Sequence, residues 1–466
     1  MVAGARAVKR GAPGDGGRDK TPRVDLLFRG GTVVTCDATD RVVEGDLLVR
    51  DGRIVHVGEG PRVTGGPTPT RVIDARGCAV IPGLVQAHVH LCQAIMRGMA
   101  DDLPLLDWLK TRIWPLEAAH DESSLAASAE LGLLEMMLAG TTTILDMGTV
   151  RAHDAVMDAC VRSGVRAVSG KAMMDSGDGV PKGLRESTRA SLQESERLSA
   201  TWRGKGGGRI GYAYAPRFVL SCSEKLVRGA VERAANEGAI VHTHAAEHAK
   251  ERAAVRAVLG EDDVIVLKRW GVFGPRAVLA HGVQLTDDQA REIARDGTRV
   301  VHCPSANLKL GSGIARVAKL DAMGVQLALG ADGAPCNNNL DPWTELRHAA
   351  LLSKVRSGVT SLKARRAFRL ATIDGARALG LDRDVGSLEV GKRADVAVVR
   401  LDGPHAEPGG DVFSKLVYAC GARDVRHVMV NGVMVVKDHE HRLLDGARVV
   451  ARARELGREL AARAKV

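Results

Sequence analysis

Aromatic residues are scarce in this 466-residue chain: five tryptophans, five phenylalanines and three tyrosines, 3% of the total. Aliphatic side chains must therefore fill its core. Long apolar runs are missing too. None approaches the roughly 20 residues that a membrane-spanning helix needs, so no membrane partner is expected. The opening segment "MVAGARAVKRGAPGDGGRDKTPR" lacks the apolar stretch of a secretory signal. The eight cysteines (Cys36, Cys78, Cys92, Cys160, Cys222, Cys303, Cys336 and Cys420) are scattered, with no CxxC pair. They offer neither a disulfide framework nor a zinc ribbon, and they fit a reducing, cytoplasmic setting.

Acidic residues fall short of basic ones, and the net charge is +10. The excess is local. Residues 1–23 and residues 447–466 each hold six basic and two acidic residues, which leaves only +2 for the body between them. A nucleic-acid-binding core is not indicated. The composition of the first tail predicts disorder.

What is present is an alternation of β-like and helical segments. After the tail come "VDLLFRGGTVVTCD" and "GDLLVRDGRIVHVGEG", the second holding Asp51-Gly52 between apolar runs. Near the other end, "VRHVMVNGVMVVKD" holds Asn431-Gly432. Both dipeptides are hairpin signals, because both central turn positions need positive φ. With "GSLEVGKRADVAVVRLD", these ends predict a small β-sandwich built from both termini. The expected division is a basic disordered tail (1–23), the first part of the sandwich (24–82), an inserted barrel (83–385), the second part of the sandwich (386–442) and a C-terminal helix (443–466).

The insert carries eight β-like runs, at 84–90, 141–147, 166–173, 209–216, 240–247, 277–283, 299–305 and 325–333. Each of the first seven is followed by a stretch able to form a helix. One is "DESSLAASAELGLLEMMLAG", with Asp121 or Ser123 as N-cap and Gly140 as stop. Eight such alternations in about 300 residues predict an α/β fold, a (β/α)8 TIM barrel. Chemistry in that fold sits at the C-terminal ends of the strands.

The first run ends with His88 and His90, which share a face because strand side chains alternate. The fifth ends "HTHAAE", placing His244 at the rim, His242 one layer deeper in a supporting role, and Glu247 within reach as a proton shuttle. The sixth brings His281. The eighth, "LGADG", brings Asp332 with glycines expected where the backbone comes close to substrate. Four of eight strand ends thus carry metal-capable residues, which scattered core histidines would not do. The fourth run, ending "APRF", has no lysine to bridge two metals. Lys171 on the third is expected to be structural, so one metal is expected.

Together "PGLVQAHVH", "HTHAAE", "LAHGV", "HCPSANLKLGSGIA", "LGADGAPCNNNLD" and "GSLEVGKRADVAVV" resemble the amidohydrolase superfamily over about residues 24–440. "RGMADDLPLLDWL" and "NLKLGSGIARV" are most similar to its aminohydrolases of S-adenosylhomocysteine, methylthioadenosine and 5′-deoxyadenosine. The resemblance implies a hydrolase of carbon–nitrogen bonds in cyclic amidines. It would remove ammonia from a small-molecule purine nucleoside, most simply 5′-deoxyadenosine.

It also implies one divalent metal on His88, His90, His244 and Asp332, with zinc first and Fe2+ or Mn2+ as alternatives. His281 would orient the water, Glu247 would protonate a ring nitrogen, and Asp332 would carry the remaining proton to ammonia. Trp108 would pack on the nucleoside and Glu117 would accept from ribose hydroxyls. A homo-oligomer is implied by resemblance alone.

"APRFVLSCS", "GKAMMD" and Gln93 resemble guanine deaminase instead, where the matching glutamine, arginine and phenylalanine (Gln93, Arg217, Phe218) hold the base. Guanine deaminase is therefore the second expectation. A triazine aminohydrolase or chlorohydrolase is a third. A non-catalytic protein on the same fold would have lost ligands, and every ligand position here is intact.

Overall fold

A computed structural model describes residues 25–60 and 69–466. Its centre is a nearly closed barrel of eight parallel strands: Leu84–Val89, Thr141–Met147, Arg166–Gly170, Ile210–Pro216, Ile240–Ala245, Ala277–His281, Arg299–His302 and Gln326–Leu329. Each pairs in parallel with the next around the barrel. These are the eight runs expected from the sequence. Helices follow them, among them Asp154–Ser163, Thr188–Trp202, Glu224–Glu237 and Asp287–Asp296. The helix Glu122–Leu138 begins at Asp121, whose carboxylate accepts the Ser124 N–H at 2.7 Å. It stops before Gly140, which takes φ 93°.

The barrel seam lies between the eighth and first strands. Asp332 N–H donates to the His88 carbonyl at 3.0 Å, and Val89 bridges Asp332. Of the glycines of "LGADG", Gly330 serves this seam and Gly333 packs against Gln93. A Cβ on Gly330 would lie 2.6 Å from the His88 carbonyl oxygen, and one on Gly333 would lie 1.9 Å from Gln93 Oε1. A side chain at Gly330 would push the eighth strand off the first, and one at Gly333 would displace Gln93.

Both chain ends build a second sheet. Leu26–Val34, Val42–Arg50, Arg53–Gly58, Arg71–Asp74 and Cys78–Pro82 come from the first end, and Val396–Arg400, Val425–Val430, Val433–Lys437 and Glu440–His441 from the second. Cys78–Pro82 pairs antiparallel with Val396–Arg400 and joins the halves. Hydrogen bonding runs unbroken through all of them as one nine-stranded sheet. Phe28, Leu47, Ile54, Val80 and Val398 share one core on it. The chain then ends in the helix Gly446–Ala464. The tail expected to be disordered, residues 1–23, lies outside the described residues. Among the described residues, no helix is long and apolar enough to cross a membrane.

Candidate active site

Four imidazoles and one carboxylate converge at the strand ends. His88, His244, His281 and Asp332 each bring a ligand atom to within 4.8 Å of the others. His90 Nε2 joins them, 3.2 Å from both His244 Nε2 and Asp332 Oδ1. Asp332 Oδ1 also lies 3.3 Å from His88 Nε2.

The rings are fixed from behind. His90 Nδ1–H donates to the Met147 carbonyl at 2.8 Å, His244 Nδ1–H to the Arg217 carbonyl at 2.7 Å, and His281 Nδ1–H to Asn307 Oδ1 at 2.9 Å. His88 Nδ1 shares a 2.9 Å hydrogen bond with His242 Nε2. An imidazole whose Nδ1 carries the proton turns the Nε2 lone pair inward, as metal ligation requires.

Electrostatics agrees with a cation site. Burial lowers His88 to about 4 and holds His244 well below its ordinary value, so both rings are neutral at pH 7. Burial pushes Asp332 up, but the neighbouring rings of His88, His90 and His281 outweigh it and favour the charged carboxylate. His88 Nε2 and His281 Nε2 are buried without a hydrogen-bond partner. Orphaned buried acceptors around a charged carboxylate are what a bound cation would satisfy. Nitrogen and oxygen donors without thiolate suit zinc, iron or manganese. Backbone strain sits here too: His281 takes φ 80° and Asp332 φ 64°, in the left-handed region that non-glycine residues seldom occupy.

Glu247 faces the same cleft, its Oε2 3.5 Å from His281 Nε2. Burial, then the charges of Glu251 and Asp332, raise its pKa well above the usual carboxylate range. A carboxyl whose acid form is favoured in this way is suited to donate a proton.

Trp108, Arg217 and Phe218 also line the cleft, whereas Gln93 and Glu117 do not. Those two stand one layer back. Arg217 Nη1 and Nη2 both donate to the Glu117 carboxylate, the second at 3.1 Å, and Gln93 Nε2 donates to Glu117 Oε1 at 2.7 Å. Burial opposes both charges and their attraction prevails, leaving Glu117 below and Arg217 above its ordinary pKa. The residues that the sequence assigned to two different substrates thus form one buried network.

Lys171 is buried and donates to Glu186 and, at 3.2 Å, to Ser191 Oγ. It takes no part in the histidine cluster. Two contributors went unnoticed in the sequence. Asn307, inside "HCPSANLKLGSG", orients His281. Asp146, inside the apolar run "TTTILDM", accepts the Leu91 N–H at 2.8 Å and the Ser169 hydroxyl at 2.6 Å, and so supports the backbone just after His90. A carboxylate in a strand that is buried throughout was the available signal.

Residues 79–435 match the model of the amidohydrolase family. The chain is 36% identical over 442 residues to a 5′-deoxyadenosine deaminase of Methanosarcina acetivorans, covering 94% of this chain and 99% of that one. It is 39% identical over 442 residues, with the same coverage, to a 5-methylthioadenosine/S-adenosylhomocysteine deaminase of Halobacterium salinarum. Among solved structures, an adenosine deaminase from Xanthomonas campestris with bound zinc superposes with a TM-score of 0.89 at 33% identity, covering 94% of this chain and 99% of that one. Family model, relatives and strand-end histidines agree, and the chain belongs to the amidohydrolase family.

Proposed function

We propose that the protein hydrolytically deaminates a purine nucleoside, 5′-deoxyadenosine first and methylthioadenosine or S-adenosylhomocysteine next, converting the amine-bearing ring carbon to a carbonyl and releasing ammonia. The names of the relatives point to these substrates. The observation that carries the reading is Glu247 facing the same cleft as the inward Nε2 atoms and Asp332, where burial favours its acid form. His88, His90, His244 and Asp332 would hold one divalent metal, zinc for preference, as the zinc-bound structural relative supports. When bound, such an ion lowers the pKa of water to roughly 7 and supplies a nucleophile at neutral pH.

The chain's own residues do the rest. Trp108 and Phe218 flank the ring in the cleft. Glu247 gives its proton to the ring nitrogen beside the amine-bearing carbon, so negative charge does not build up there as that carbon is attacked. His281, held by Asn307, orients the attacking water. Asp332 Oδ2, 3.8 Å from His281 Nε2, takes one proton of the water and passes it to the departing amine, and the water's other proton restores Glu247 to its acid form as the carbonyl forms. One water is consumed and one ammonia leaves.

Guanine deaminase is the second reading, favoured by Arg217 and Phe218 at the cleft. The two-pronged pairing of Arg217 with Glu117 counts against it, because that guanidinium is already engaged. Eight free cysteines, seven of them buried, support a cytoplasmic setting.

Ammonia release from 5′-deoxyadenosine, methylthioadenosine, S-adenosylhomocysteine, adenosine and guanine tests the proposal. Nucleosides are expected to react fastest, and a preference for free guanine would overturn it. His244→Ala is expected to lose metal and activity together, checked by elemental analysis and turnover. A variant that keeps both would sink the ligand assignment.

A further inference from the structure

The network behind the cleft stands on two short segments. Gln93 lies in the turn of helix Leu91–Met96, directly after His90, and Glu117 lies in Trp114–Ala118, the end of a helical run that begins at Leu105. Six residues of helix hold little stability of their own, so the position of the first must come from packing. His120 ties the two together, bonding the Cys92 carbonyl at 2.8 Å through Nε2 and Ser124 Oγ at 2.9 Å through Nδ1.

The C-terminal helix Gly446–Ala464 covers the backs of both. Ile95, Met96 and Leu116 bury themselves against Ala453 and Leu460. Gly457 sits at the crossing, where a Cβ would come within 3.3 Å of the Ile95 carbonyl oxygen. A glycine inside a helix costs roughly 1 kcal/mol against alanine, and here it permits the close approach. Arg463 Nε donates to the Ala119 carbonyl at 3.1 Å, its Nη1 lies 3.3 Å from Asp121 Oδ2, and Arg452 Nη1 lies 3.6 Å from Glu130. Part of the basic excess of residues 447–466 is spent on this contact rather than on an external acidic partner.

We propose that the C-terminal helix is the positioning support of the substrate wall, with Gly457 and Leu460 setting substrate affinity by fixing the segments that carry Gln93 and Glu117. Arg217 lines the cleft with its guanidinium held by Glu117, so a shift of these segments reaches the substrate wall, while His244 and His281 stand on strands of their own and Glu247 follows the strand of His244. The kinetic consequence rests on the deaminase reading, and the structural one does not.

The test uses full-length Gly457→Val and Leu460→Ala, with Leu460→Met as the conservative control. Amide hydrogen exchange is expected to quicken at least tenfold in residues 91–96 and 114–118 in the first two variants, while the strands 240–245 and 277–281 keep their protection. KM for the best nucleoside is expected to rise about tenfold, with kcat within twofold and bound zinc unchanged, and Leu460→Met is expected to restore both. Unchanged exchange in the two segments overturns the proposal. So does a lowered melting temperature with KM unmoved, which would make the helix a merely structural element. If the wild type releases ammonia from no nucleoside, the deaminase reading fails, and the exchange result still decides the role of the helix.

Discussion

Glu117 and Arg217 face each other with side chains that are both at least 96% buried, with Gln93 beside Glu117 and the cleft beside Arg217. Each charge is tolerable only because of its partner. Glu117→Leu strands a buried guanidinium and Arg217→Leu a buried carboxylate, and each is expected to cost about 3–5 kcal/mol. The double variant is expected to lose less than either single one, because no unpaired charge remains. Urea unfolding of the three variants measures this, and additive losses would show that the pair is not coupled. At this scale the strand-end cluster was legible in the sequence, since His88, His90, His244, His281 and Asp332 all fall at strand ends. The Arg217–Glu117 pairing was not. The two residues are 100 positions apart, and only the fold brings them into contact.

Turn chemistry governs the second sheet. Asp51 and Gly52 take φ 47° and 75°, and Asn431 and Gly432 take 51° and 79°, the left-handed pairs that two-residue hairpins need. Both turns were readable from their dipeptides. Their meeting was not: a Cβ on Gly432 would lie 2.2 Å from Gly52 Cα, so the two hairpin tips touch. The Gly432 N–H donates to the Ala394 carbonyl, and the Ala394 N–H donates to the Gly52 carbonyl, linking both tips to the chain between them. Gly432→Ala should therefore destabilise through both backbone strain and contact, on the order of 1–3 kcal/mol from the strain alone. Gly391→Ala, also at positive φ but with open space around its Cβ position, is the control. Equal losses of melting temperature in the two would show that the contact between the tips contributes nothing.

The molecule as a whole buries neutral imidazoles. Burial holds His153 and His302 at about 3, against about 6.5 for an exposed histidine. Their folded pKa is depressed, so the unfolded chain takes up protons first as pH falls. The stability they allow is complete above pH 6.5 and is lost progressively between pH 6.5 and 3. At pH 5 each accounts for up to about 2 kcal/mol. Melting curves are expected to shift downward between pH 7 and 5, with His302→Gln weakening that slope. A flat profile over this range would contradict it.

The sequence by itself determined the alternation of eight strands with helices, the glycine-containing hairpin turns and the metal-capable residues at the strand ends. Each of these follows from local periodicity, turn chemistry or a two-residue spacing. Only the tertiary structure decided which side chains meet. It set Gly330 against the first strand, because the barrel must close there, and Gly333 against Gln93. It drew Gln93 and Glu117 back from the cleft, because a buried guanidinium needs its counter-charge. It laid the basic C-terminal helix across the segments that carry them, a contact between residues more than 300 positions apart along the chain.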